Sequence, residues 1–236
     1  MANDSAVTVY RNTAVSDLNN KDQNSFSVKV GLAQRLSGGA IIHVTNVDQK
    51  KIAESAGACC VIVSEPSRML DPAVIKQIQE SVPIPVMAKA RVGHFIEAQI
   101  LEAVGVDYID ENELFPAADD ANFTNKHNFR VPFVCGCQDL GDGLRRVREG
   151  APYDIVAQIK QIGRLPVVHF ASGGIITPAD AAMMMQLGCN GVFVDAEAFD
   201  CSDPYKRVCA IVQAVRNYND VHMLTGLNLR DTEGSY

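Results

Sequence analysis

Residues 165–199 read LPVVHFASGGIITPADAAMMMQLGCNGVFVDAEAF, and the order of signals in this stretch decides the fold. A run of β-branched and aromatic residues, Val167–Phe170, meets a Ser172-Gly173-Gly174 turn. Thr177-Pro178-Ala179-Asp180 then reads as a helix start: a Thr N-cap, Pro at the first position and Asp in the first turn. Gly188 is placed to end that helix, and Gly191–Val194 forms a second apolar run. A strand, a helix and another strand make the repeating unit of a parallel sheet, since parallel strands need a crossover between them.

The same alternation extends back to Phe26. Ala40–Val44, Cys59–Val63, Val86–Ala90, Asp107–Asp110 and Phe133–Cys137 read as further strands, giving seven in all. Helices are expected between them: Val47–Ala56, one opened by Pro72, and His94–Val104 closed by Gly105. One step breaks the rhythm. After Phe133–Cys137 come two helical patterns, Asp139–Glu149 and Tyr153–Ile162, separated only by Gly150-Ala151-Pro152. A parallel barrel alternates climbing strands with returning helices, so two helices in succession do not close without an irregularity: either the second helix lies across the bottom, or the barrel is open at this point. The expected fold class is α/β, a TIM-type (β/α) barrel with seven predicted strands, one short of eight. We divide the chain into an arm (1–25, polar and read as mobile), a barrel domain (26–220) and a C-terminal tail (221–236).

Composition narrows the function. A formal charge of −7 over 236 residues argues against nucleic-acid binding, which needs a basic excess. The N-terminus lacks a basic segment leading into an apolar stretch, and no run approaches ~18 apolar residues, so neither a secretory signal nor a membrane span is expected. The seven cysteines form no C-x-x-C pair and no zinc spacing. Several sit in apolar runs, as at Ala58-Cys59-Cys60-Val61, and read as reduced core thiols of a cytoplasmic protein. No metal and no cofactor is expected.

Barrel active sites lie at the C-terminal ends of the strands. Lys89 is near such an end, and strand alternation puts Met87, Lys89 and Arg91 on one face. A lysine desolvated inside a barrel beside Arg91 favours its unprotonated amine, the form that attacks a sugar carbonyl. The competing reading is a structural lysine paired with a carboxylate. Asp110 ends the following strand. It either pairs with Lys89, shuttles a proton, or caps a turn.

Longer stretches carry more specific information. VKVGLAQRLSGG (Val28–Gly39), PVMAKARVGH (Pro85–His94), DYIDE (Asp107–Glu111) and the opening stretch together closely resemble the ribose-phosphate-using subunit of the glutamine-dependent pyridoxal 5′-phosphate synthase, and the wording of NKHNFRVPFVCGC (Asn125–Cys137) resembles its plant branch. That branch includes a paralogue regarded as non-catalytic. The resemblance implies a (β/α)₈ barrel in stacked hexameric rings. These condense ribose 5-phosphate, glyceraldehyde 3-phosphate and ammonia from a partner glutaminase, using two lysines as covalent carriers.

Residue by residue, Lys89 matches the first family lysine, Asp110 an active-site carboxylate, and Gly174, beside Gly173, a phosphate contact. Three departures stand out. His43 replaces an aspartate that meets the sugar phosphate, although histidine can still act as a base near neutral pH. Asp195-Ala196 replaces a Gly-Ser pair at the phosphate loop. A carboxylate ~4 Å from a phosphate costs about 1 to 4 kcal/mol per charge pair, unless Asp195 turns out to solvent. Finally, Glu149-Gly150 runs directly into Ala151-Pro152, so the strand bearing the second lysine and the Gly-rich loop after it are missing; Lys160, inside a helical pattern, does not replace that lysine. The expected function is a catalytically impaired regulatory or scaffold subunit in vitamin B6 biosynthesis. Its expected partners are complete paralogues in hetero-oligomeric rings and the glutaminase, with sugar phosphates bound weakly if at all, and neither nucleic acid nor membrane. Two alternatives stand: an active synthase forming a Schiff base on Lys89, and a truncated product that folds poorly.

Overall fold

The computed structural model describes residues 26–65, 68–81, 83–112, 124–137, 143 and 167–228. The chain enters through α1 (Phe26–Gln34), then β1 (Gly39–Val44), α2 (Val47–Ser55), β2 (Cys60–Val63) and α3 (Pro72–Ser81). It continues through β3 (Val86–Lys89), α4 (Phe95–Val104), β4 (Tyr108–Glu111), a 3-10 turn at Lys126–Asn128 and β5 (Phe133–Cys135). After β6 (Phe170–Ala171) come α5 (Pro178–Gln186), β7 (Gly191–Val194), a 3-10 turn at Ala196–Phe199, α6 (Pro204–Arg216) and α7 (Val221–Asn228).

The expected helix signals operate in the backbone. Thr177 is extended, and its side chain accepts from the Asp180 amide while the Asp180 carboxylate accepts from the Thr177 amide. This reciprocal box satisfies two helix-end donors. Gly105 closes α4 at φ 89°, a left-handed conformation that costs glycine nothing. The ten-residue α3 would be marginal alone. Its Ile75 and Ile78 are fully buried, each contributing roughly 2 kcal/mol. Lys50, buried in α2, donates from Nζ to the carbonyls of Ile78 and Gln79. A cation thereby meets the carbonyl end of α3, where the helix dipole favours positive charge.

All seven strands are parallel, in the order β5-β4-β3-β2-β1-β7-β6. This is the curled sheet of a TIM-type barrel. β5 and β6, consecutive among the described strands, lie at opposite ends of the described order, and no register among the described residues joins them. The two irregular helical patterns, 139–149 and 153–162, lie outside the described residues, as do Lys160 and the arm.

Alternation divides the sheet into two layers. Ile42, Val61, Ala88, Ile109 and Val192 face outward and pack against the helices. Ile41, Cys60, Ile62, Met87 and Tyr108 face the lumen with Phe170 and Phe193. The Tyr108 hydroxyl donates to the Leu32 carbonyl at 2.9 Å, tying α1 to the barrel. Gly39 and Gly191 are register partners. A Cβ on Gly191 would stand 2.4 Å from the Phe170 ring and 2.6 Å from the Gly39 carbonyl oxygen, so the close approach requires glycine.

Three expectations are refined. The sixth strand is Phe170–Ala171 rather than 167–170. Among the described residues it forms a ladder with β7, and the chain before it is held by Asn190. The His169 amide donates to Asn190 Oδ1 at 3.1 Å, and the Asn190 amide donates to the His169 carbonyl at 2.8 Å. The segment after residue 220 begins with α7, whose Leu227 packs against Ala182, Ala210 and Ala214. Of the seven free cysteines only Cys60 is fully buried, and Cys137 is exposed. Among the described residues no helix is long and apolar enough to cross a membrane.

Candidate functional site

Because the strands are parallel, their C-terminal ends gather at one mouth. His43 on β1, two residues beyond lumen-facing Ile41, reaches it. Lys89 ends β3 and Asp110 lies on β4, and these two are register partners. The Ser172–Gly174 turn follows β6, and Asp195-Ala196 follows β7. The topology thus brings every candidate residue to the same end of the sheet.

His43 is half-buried, and its Nε2 shares a 2.9 Å hydrogen bond with Ser64 Oγ, just past β2. Burial lowers its pKa. The Asp195 and Glu197 carboxylates oppose that shift, and Lys89 adds to it. Asp110 is buried, with Oδ1 lacking a hydrogen-bond partner among the described residues. Burial pushes its carboxyl up to about 7, against the Lys89 ammonium and with help from Glu111. A lysine beside a carboxyl titrating near neutrality is a pair able to form an imine with a carbonyl and move the associated proton.

Arg91 is not part of this pair. It lies past the end of β3, and Glu97 of α4 holds it: Nη2 to Oε1 is 2.8 Å, and the Arg91 amide donates to Oε2 at 2.9 Å. Burial disfavours the Glu97 carboxylate, but these contacts with Arg91 outweigh it and lower its pKa. The strand ends at Lys89, so strand alternation does not by itself orient Arg91 toward Lys89.

Glu111, quoted only as part of DYIDE, proves to be a second anchor. Facing away from the lumen, it pairs with Lys126 Nζ at 2.8 Å and accepts from the Gly93 amide at 3.0 Å. It joins the loop after β3 to the segment leading into β5. Neither this pair nor the His43–Ser64 bond has a signal in sequence spacing, because each depends on strands being neighbours.

At the glycine turn, Gly173 and Gly174 adopt φ of 99° and 70°. The Gly174 amide donates to Asp195 Oδ2 at 2.7 Å. Asp195 therefore faces the turn instead of rotating into solvent.

Parallel βα architecture with lysine, carboxyl and glycine turn gathered at the C-terminal mouth defines an α/β protein of the TIM-barrel type. The chain belongs to the SOR/SNZ family, whose model matches residues 25–152. It is 51% identical to the pyridoxal 5′-phosphate synthase-like subunit PDX1.2 of Arabidopsis thaliana, over 94% of this chain and 88% of that protein. It is 49% identical to the pyridoxal 5′-phosphate synthase subunit PDX1 of Phaseolus vulgaris, over 89% of this chain and 90% of that protein. The first alignment spans 279 positions against a chain of 236 residues, so at least 43 positions of the relative have no counterpart here. The thiamine phosphate pyrophosphorylase of Pyrococcus furiosus shares the fold alone: TM-score 0.59 at 14% identity, over 80% of this chain and all of that one. The family is that of vitamin B6 biosynthesis.

Proposed function

We propose that this chain is a catalytically impaired subunit of the pyridoxal 5′-phosphate synthase system, acting as a regulatory or scaffold member of rings built with complete paralogues. One observation carries the reading: among the described residues the sheet has seven strands, with β5 and β6 at its two ends. The family strand that would join them is the one expected to bear the second covalent lysine. Residues that work as one relay fail together when one is lost. Lys89 and Asp110 then form half a site, suited to a first imine with a sugar phosphate but not to handing it on.

The scaffold part draws support from the outer helices. Phe95, Ile96 and Ile100 on α4 are exposed, as are Met183 on α5 and Leu187 just after it. Apolar groups presented on outer helices suit contacts between subunits. The segment through Gly39 resembles the family region that meets the glutaminase, which keeps that partner within the proposal. Seven free thiols suit a reducing, cytoplasmic setting.

The test is direct. The purified chain is supplied with ribose 5-phosphate, glyceraldehyde 3-phosphate and ammonium, and product absorbance is followed. No pyridoxal 5′-phosphate should form. Turnover near that of a complete relative would instead establish the active-synthase alternative, with its Schiff base on Lys89.

A further inference from the structure

The glycine turn after β6 has the form of an anion cradle. Gly173 and Gly174 both have positive φ, and backbone amides of such turns form anion-binding concavities; the Gly174 amide meets a carboxylate here. A Cβ on either glycine would meet nothing within 4 Å among the described residues, so the conformation, rather than crowding, requires glycine there. Yet the Gly174 amide is already engaged by Asp195 Oδ2 at 2.7 Å.

This contact is not the ordinary local choice for an aspartate in that place. Asp195 immediately precedes the 3-10 turn Ala196–Phe199, where an aspartate side chain commonly accepts from the amides that follow it. Here it makes no such cap bond. Its carboxylate crosses from the β7 loop to the β6 loop. Its own amide donates to the Ile175 carbonyl at 3.2 Å, which fastens the two loops side by side.

We propose that Asp195 is a resident anion: its carboxylate occupies the backbone donor that a phosphate monoester would use and excludes such ligands from this mouth. The inference rests on reading this end of the barrel as a sugar-phosphate site, and it identifies the residue that sets what the site rejects. A phosphate would have to displace an intramolecular acceptor and then sit beside its negative charge, and both effects oppose binding.

The experiment is calorimetric titration of the full chain with inorganic phosphate, and separately with ribose 5-phosphate. The variants are Asp195→Gly, Asp195→Asn and Glu197→Gln. Asp195→Gly vacates the cradle, Asp195→Asn keeps the shape but removes the charge, and Glu197→Gln removes a nearby charge that does not touch Gly174. Asp195→Gly should bind phosphate at least ~10-fold more tightly than the unaltered chain, with Asp195→Asn between them and Glu197→Gln within ~2-fold of the starting value. Comparable affinity in the unaltered chain and Asp195→Gly overturns the proposal, as does an equal gain from Glu197→Gln. Where Asp195→Gly fails to fold, Asp195→Asn decides: a gain supports the proposal and no gain overturns it. Binding is read without turnover, so this outcome is independent of whether the chain makes product.

Discussion

Asp110 carries a proton in the fold that it would release in the unfolded chain. Its pKa rises from 3.8 to about 7 because burial penalises the carboxylate. The native state thus binds more protons than the unfolded state between roughly pH 4 and 7, and stability falls as pH rises through that window. Asp110→Asn removes the penalty. In urea melts it should add on the order of 2–4 kcal/mol at pH 8 and well under half of that at pH 4. A pH-independent gain would contradict the assignment. His43 has the opposite sign: its pKa is lowered by burial, so its contribution is complete above 6.5 and is lost as pH falls toward its folded value. Strand alternation and family resemblance made His43, Lys89, Asp110 and Asp195 legible from the sequence. The partners that fix them were not legible. Ser64 meets His43 across neighbouring strands, and Glu97 takes Arg91 only because β3 stops two residues before it.

Among the elements, α5 and β7 test how local signals become stability. Thr177→Ala removes the hydroxyl that accepts from the Asp180 amide and donates to its carboxylate, while the backbone half of the box remains; it should cost about 1 kcal/mol, visible as a lower midpoint at unchanged urea slope. Gly191→Ala should cost more, about 1–3 kcal/mol, because its Cβ meets the backbone carbonyl of Gly39 as well as the Phe170 ring. The ring can turn aside and the carbonyl cannot. If Gly191→Ala proves neutral, the close approach is looser than described. Helix boundaries were readable where a cap marks them, as at Thr177 and Gly105. The start of α7 is not legible in the sequence, although Asp220 Oδ1 accepts from the Met223 amide there. Its opening residues Val221 and Met223 are exposed, so no apolar period announced the helix. β6 is shorter than its apolar run because such a run records burial and not a ladder.

At the scale of the molecule, the exposed apolar residues of α4 and α5 bear on solubility and assembly. We expect the chain alone to aggregate or melt early, and to be soluble when co-expressed with a complete paralogue, whose contacts stabilise the folded form by mass action. Tagged co-purification followed by native mass spectrometry reads this out. Replacing both Met183 and Leu187 with Glu should make the lone chain more soluble and weaken capture of the paralogue. A well-behaved monomer that never captures the paralogue would remove the scaffold reading and favour that of a truncated product.

The strand order also sets a timetable. β1 through β5 neighbour one another in sequence and in space, so each can pair with the one before it soon after it leaves the ribosome. The other side of β1 must wait for Gly191–Val194, its register partner across some 150 residues. In the described sheet this is the only ladder between the first five strands and the last two. Contacts so distant along the chain form slowly, and a waiting strand edge is exposed to other nascent chains. The interval between synthesis of β5 and of β7 is therefore when this protein depends most on chaperones, and lengthening it, for example with slow codons between 136 and 190, should lower the soluble yield more than the same pause placed after β7.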